Sequence, residues 1–206
     1  MGRIFLLALA LAGVSSPLSA TPLSVRVVDA SGRPVRDAVV AFSPAGPAAR
    51  PARATGRYVV SQQSLQFHPI LTVIPVGSDV SFPNLDPTKH HGYSFSAAKR
   101  FELKLFAKDQ SRTVHFDKPR VVALGCNIHD AMSAFIYVTD SAWTARTNAR
   151  GIAVFADAPN APGRVTLWHP YLRAPGPLQQ VLAANQRSVS FKVRLRAPPS
   201  MPAMDY

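Results

Sequence analysis

Gly125-Cys126-Asn127-Ile128-His129-Asp130-Ala131-Met132 contains the only cysteine of the 206-residue chain and sets it in a Cys-x-x-His-x-x-Met spacing, downstream of the pair His90-His91. Thiolate and imidazole together suit copper held in a trigonal plane, and a thioether suits a weak, long axial position. Cys126, His129 and one of His90 and His91 are therefore candidate in-plane donors, with Met132 as the candidate axial donor. Met132 is the one methionine between residue 1 and the tail. Zinc fits the set poorly, because structural zinc sites close with four nitrogen or sulfur donors. The competing reading is that Cys126 is a small buried apolar residue, as free cysteines often are.

Moving outward from this loop, short apolar runs recur between turn residues. They are Ile70–Ile74, Asp79–Phe82, Tyr93–Phe95, Phe101–Phe106, Thr113–Phe116, Val121–Leu124 and Phe135–Val138. Strands this short, punctuated so regularly, predict an all-β sandwich or barrel. A turn of helix is allowed only over 97–111. Toward the N-terminus, Leu23–Val28 and Ala38–Phe42 flank Asp29-Ala30-Ser31-Gly32-Arg33-Pro34, which reads as a strand, turn, strand unit. Residues 43–57 read as a mobile connection rich in Pro, Ala, Gly and Arg. Strands give a metal site rigidity, which matters because Cu(II) and Cu(I) prefer different geometries. Alternation along the strand puts His91, Tyr93 and Phe95 on one face and favours His91 as the inward histidine if that face is apolar.

The segment Phe67-His68-Pro69-Ile70-Leu71-Thr72-Val73-Ile74-Pro75-Val76-Gly77-Ser78-Asp79-Val80-Ser81-Phe82-Pro83-Asn84-Leu85-Asp86, followed by His90-His91 and the cysteine loop, resembles the cupredoxins, the plastocyanin and azurin superfamily. The loop itself is most similar to that of amicyanin. More broadly, the chain resembles exported plastocyanin-like proteins labelled methylamine utilisation proteins. The resemblance implies a Greek-key β-sandwich over 58–140 and one type 1 (blue) copper. It also implies that His90, the first of the pair, is the ligand, and that Met132 is axial. His91 stays open as the alternative. The implied function is a periplasmic carrier of single electrons between a donor and an acceptor redox protein, not an enzyme. Arg120, Gly125 and Asp130 depart from the family pattern, at a turn, before the cysteine and after the histidine. Thr147–Phe155 and Val165–Pro170, with Asp29–Val35, resemble the two halves of a transthyretin-like or carboxypeptidase-regulatory sandwich. Residues 21–57 and 141–196 are thus expected to form one small split β-domain around the cupredoxin.

Residues 1–20 read as a secretory signal peptide. Arg3 gives the positive start, Ile4–Val14 the apolar centre, and Leu18-Ser19-Ala20 the cleavage site, with cutting expected after Ala20. The apolar run is too short to span a bilayer, so a periplasmic or otherwise exported, non-spanning protein is expected, as a monomer. A lone thiol in such a compartment calls for burial or occupation of the sulfur. The formal net charge is +12, with 17% charged residues. Export and scattered arginines argue against nucleic acid; an acidic redox partner or anionic envelope material fits better. The sequence leaves two competing functions, copper delivery without a redox circuit and an envelope interaction module with a vestigial site. No catalytic triad or open coordination position appears. His68, His115 and His169 read as structural imidazoles, and residues 197–206 as a disordered tail.

Overall fold

The computed structural model describes residues 22–46 and 54–197, and the expected signal peptide, its cleavage site and residues 198–206 of the tail lie outside them. The described residues contain only strands and loops. Seventeen strands run in the order β1 (Leu23–Asp29), β2 (Val39–Pro44), β3 (Arg57–Val59), β4 (Ser61–Gln63), β5 (Gln66–His68), β6 (Leu71–Pro75), β7 (Ser78–Pro83), β8 (Gly92–Ser96) and β9 (Lys99–Glu102). They continue with β10 (Ser111–Phe116), β11 (Arg120–Cys126), β12 (Ser133–Thr139), β13 (Trp143–Arg146), β14 (Ile152–Phe155), β15 (Gly163–Trp168), β16 (Leu178–Leu182) and β17 (Ser188–Val193).

The central strands build a five-stranded sheet, β6-β12-β11-β8-β9, and a three-stranded sheet, β10-β7-β3, with β4-β5 as a separate hairpin. Alternation explains the burial. On β11 Val122, Leu124 and Cys126 point inward, and on β12 Ala134, Ile136 and Val138 do the same, meeting Val80 and Phe82 of β7 and Phe116 of β10 in one apolar core. Cys126 and Met132 belong to that core, so both sulfur atoms are held by close-packed neighbours.

The flanks contribute a second pair of sheets, β14-β1-β17 and β13-β2-β15-β16, over their own apolar core of Val25, Val27, Phe42, Val165, Leu167 and Phe191 among others. Strands from both ends of the chain meet directly: β1 pairs with β14 and β17, and β2 with β13 and β15. Gly151, at φ +70°, allows the turn into β14, and a Cβ there would lie 2.4 Å from the Val27 carbonyl oxygen. Outside the two cores the sandwiches touch at the Trp168 ring, whose centroid is 5.5 Å from that of Phe135 and 5.9 Å from that of Tyr137 on β12. Arg146 adds a bridge, donating to the Leu71 carbonyl at 3.1 Å and to Asp37 at 2.7 Å.

Three expectations are corrected. The run Phe101–Phe106 is not one strand: β9 ends at Glu102, Lys104 takes a positive φ of 52°, and Phe106 returns only as a bridge to His90. No helical turn forms over 97–111, because Ala97 and Ala98 make the tight turn between β8 and β9 and Ser111 already belongs to β10. The connection read over 43–57 is shortened at both ends, where β2 runs on to Pro44 and where Arg57 opens β3 and pairs with Asp79.

Candidate metal centre

His90 is placed by a polar loop that the sequence organises locally. The Asn84 side chain donates to the carbonyls of Thr88 at 2.8 Å and Phe106 at 3.2 Å, and accepts the Asp86 N–H at 2.9 Å. His90 and Phe106 exchange backbone hydrogen bonds at 3.2 and 3.1 Å, which pins the residue to the loop after β9. The opposite side comes from the end of β11. Asn127 N–H donates to the His91 carbonyl at 3.0 Å, and Met132 N–H closes the loop onto the His129 carbonyl at 2.9 Å. The three-residue spacings read in the sequence are therefore those of a tight turn.

These elements bring His90, Cys126 and His129 together. His90 Nδ1 lies 3.2 Å from His129 Nδ1 and 3.9 Å from Cys126 Sγ, and His129 Nδ1 lies 3.6 Å from the same sulfur. A point equidistant from atoms at these three separations is about 2.1 Å from each, the length of a metal–imidazole bond. His90 and Cys126 are buried and His129 is half-buried. Met132 is fully buried in the same core, one loop turn beyond His129.

The protons on His90 follow from Asp86. His90 Nε2 sits 2.8 Å from Asp86 Oδ2, and an ionised carboxylate only accepts, so Nε2 carries the N–H and Nδ1 turns its lone pair toward the sulfur and His129. Burial disfavours the Asp86 charge, but the Leu65 N–H, His90 and the Ser64 N–H outweigh it and hold the carboxyl below the usual range. Burial and then the adjacent His90 hold His129 below the ordinary histidine value, against the pull of Asp86. Two imidazoles and a thiol so close repel one another through their lone pairs unless a proton or a cation lies between them. The chemistry of the donor set thus fits one soft or borderline metal ion, with no tetrahedral fourth nitrogen or sulfur among the clustered His, Cys, Asp and Glu of the described residues.

His91, the alternative to His90, points the other way. On β8 and the residues before it, His90, Gly92 and Ser94 face inward, whereas His91 and Tyr93 are half-exposed and Phe95 is exposed. His91 Nε2 lies 2.7 Å from Glu102 on the outer face, as an ion-pair contact. The face that His91 shares with Tyr93 and Phe95 is therefore the outer one, and its aromatic residues lie on the solvent side. His115 pairs with Asp79 at 2.7 Å on the surface, and neither it, His68 nor His169 joins the cluster.

Two contributors escaped the sequence reading. Asp86 was legible as part of Asn84-x-Asp86, four residues before His90, but its contact with the imidazole was not. Tyr93 is the other. Gly125 has no side chain, and the Tyr93 ring, its register partner on β8, fills the space, so that a Cβ on Gly125 would come within 2.8 Å of that ring. The Tyr93 ring thus covers Gly125, the residue before Cys126, from the neighbouring strand.

No protein-family model matches this chain, and no curated protein matches it. Among solved structures it is similar to a copper-containing nitrite reductase from Thermus scotoductus SA-01, at 22% identity over 55% of this chain, with a TM-score of 0.39. The chain spans 28% of that reductase's length. It is also similar to the reduced Cu(I) form, at pH 4, of a point mutant of amicyanin, at 19% identity over 48% of this chain and 98% of that one, with a TM-score of 0.38. A purple cupredoxin from Nitrosopumilus maritimus matches at 18% identity over 41% of this chain and 99% of that one, with a TM-score of 0.36.

Proposed function

We propose that this protein is an exported, periplasmic type 1 copper protein that carries single electrons between redox partners, and is not an enzyme. The observation that carries this reading is the triangle of His90 Nδ1, Cys126 Sγ and His129 Nδ1, with edges of 3.2, 3.6 and 3.9 Å. In this reading those three residues, with Met132 as a further donor, would hold the copper. Bound copper would supply the Cu(II)/Cu(I) couple. The chain supplies the rest: the β11–β12 loop fixes Cys126 and His129, Asp86 orients His90, and the packed core around Cys126 and Met132 keeps water from the sulfur atoms. His129, half-buried, is the donor nearest solvent and the natural point of electron entry and exit. The flanking sheets, in the same reading, form one split domain of transthyretin or carboxypeptidase-regulatory type, and the chain is a plastocyanin-like protein of the methylamine-utilisation kind.

The test is a visible spectrum of the copper-loaded protein under oxidising conditions. An intense thiolate-to-Cu(II) charge-transfer band, lost in Cys126→Ser, is expected, together with reversible reduction at an electrode. Copper binding without a reversible couple would instead favour a delivery protein. A colourless oxidised wild type with stoichiometric copper would overturn the type 1 assignment.

A further inference from the structure

The second core carries a feature that the metal centre does not use. A cleft of about 680 Å3 opens between the turn after β1 and the segment following β17. Arg33, Arg36, Arg173, Arg194 and Arg196 line it, against a single carboxylate, Asp29. Asp29 is already committed: its carboxylate accepts from Arg33 Nε at 2.8 Å and from the backbone N–H groups of Ser31 and Arg33. Arg36 lies 3.4 Å from Asp37, which Arg146 also engages at 2.7 Å. The guanidinium groups of Arg173 and Arg194 have no hydrogen-bond or ion-pair partner among the described residues.

The backbone forces these cations together. Arg173 N–H donates to the Arg194 carbonyl at 2.8 Å, Leu172 bridges Leu195, and Arg196 N–H donates to the Tyr171 carbonyl at 2.9 Å. Like charges on paired backbone segments destabilise the pairing, and an apolar or neutral residue at these exposed positions would fold at least as well. His169 stiffens the wall without adding charge. Its Nδ1 accepts the Tyr171 N–H at 3.1 Å, and burial holds it below the usual histidine range despite a hydrogen bond to the Arg36 backbone and the charge of Asp37. Guanidinium forks match phosphate and carboxylate oxygens two at a time. Five positive charges against one negative in a compact cleft select a ligand that concentrates several negative charges, which a single carboxylate does not.

We propose that this cleft is an anion-binding site for a ligand carrying two or more adjacent phosphate groups, independent of the metal centre. The shared chemistry is the clustered phosphate, whose source is a soluble diphosphate or the headgroups of an anionic lipid surface.

Calorimetric titration of the full chain with inorganic pyrophosphate, beside inorganic phosphate, tests it. Arg173→Gln/Arg194→Gln is expected to weaken pyrophosphate binding by about tenfold or more, the scale of lost charge-assisted hydrogen bonds. Arg100→Gln/Lys108→Gln, which removes the same charge from exposed positions of the central sandwich, is expected to weaken it by less than about twofold. All four positions are exposed, so both variants should unfold at the wild-type temperature. Co-sedimentation with phosphatidylglycerol–phosphatidylcholine vesicles separates the sources. Vesicle binding lost only in the cleft variant, and displaced by pyrophosphate, supports the site with lipid as its source. Pyrophosphate binding without vesicle binding supports it with a soluble source. Equal losses in the two variants, no preference for pyrophosphate over phosphate, or no binding to either probe overturns the proposal.

Discussion

The two β-sandwiches divide charge and chemistry between them. Residues 54–140, which hold His90, Cys126, His129 and Met132, carry nine Lys or Arg against seven Asp or Glu, a net of +2. The described flanking residues, 22–46 and 141–197, carry eleven against three, a net of +8. The central core is built around polar donors that need tight positioning, including a buried histidine and a buried carboxylate. The flanking core is almost purely apolar and serves to hold charged turns in place. A total charge of +12 therefore says little about the surface through which electrons would pass. Long-range steering depends on where charges sit relative to the docking edge, not on their sum.

The sharpest break of this comparison is at the paired histidines. His90→Ala is expected to abolish the visible copper spectrum, because its Nδ1 is one corner of the donor triangle. His91→Ala should leave it almost intact, because that ring reaches only Glu102 on the outer face. The reverse pattern in absorption and copper stoichiometry would move the site to the other face of β8. Next in size is Gly151→Ala, a change confined to the flanking sandwich. It forces a Cβ against the Val27 carbonyl in a left-handed backbone conformation, and is expected to destabilise that sandwich by about 2–4 kcal/mol. Calorimetry should show a lowered transition while the spectrum of the folded copper protein is unchanged. A spectrum that changes in step would show that the two sandwiches act as one unit.

The residues explain what the sequence could and could not reveal. Strands with strict alternation over a buried face, such as β7, β11 and β12, were legible because period-two burial is a local property. The closeness of Cys126 and His129 was legible because a three-residue spacing is one that a tight turn closes. The face of β8 was not, because aromatic residues at positions 93 and 95 look like core in a sequence yet lie on the outer side of this sheet. β16 and β17 went unread, although Val189, Phe191 and Val193 alternate clearly; β17 gains its place by pairing in parallel with β1, roughly 160 residues away, a contact no local window contains. The arginine cleft was invisible for the same reason, since Arg33 and Arg194 come from opposite ends of the chain.

A smaller effect is expected from Asp86→Asn, which keeps the shape of the side chain but replaces the carboxylate that accepts from His90 Nε2. Outer carboxylates of this kind orient the imidazole and raise its basicity, and their loss costs about 10–100-fold in metal affinity. Competition with a copper chelator should show a weakened site with stoichiometry retained, while pyrophosphate binding at the arginine cleft is untouched. Unchanged copper affinity would reduce Asp86 to a loop staple that holds the Ser64 and Leu65 N–H groups.

The smallest expected effect concerns salt. Charge steering from the whole molecule would make electron transfer to an anionic small-molecule oxidant fall steeply as salt rises, and transfer to a cationic one climb. The central sandwich, however, is nearly balanced, and exposed charges farther than roughly 10 Å are screened at 0.1 M salt. Stopped-flow rates with the two oxidants should therefore change by no more than about twofold as salt rises above 0.1 M, in opposite directions. Arg173→Gln/Arg194→Gln should leave both salt profiles where they were. If instead the anionic oxidant slows many-fold and that variant flattens its profile, the arginine cleft lies close enough to His129 to guide electrons, and the division of charge from chemistry between the two sandwiches fails.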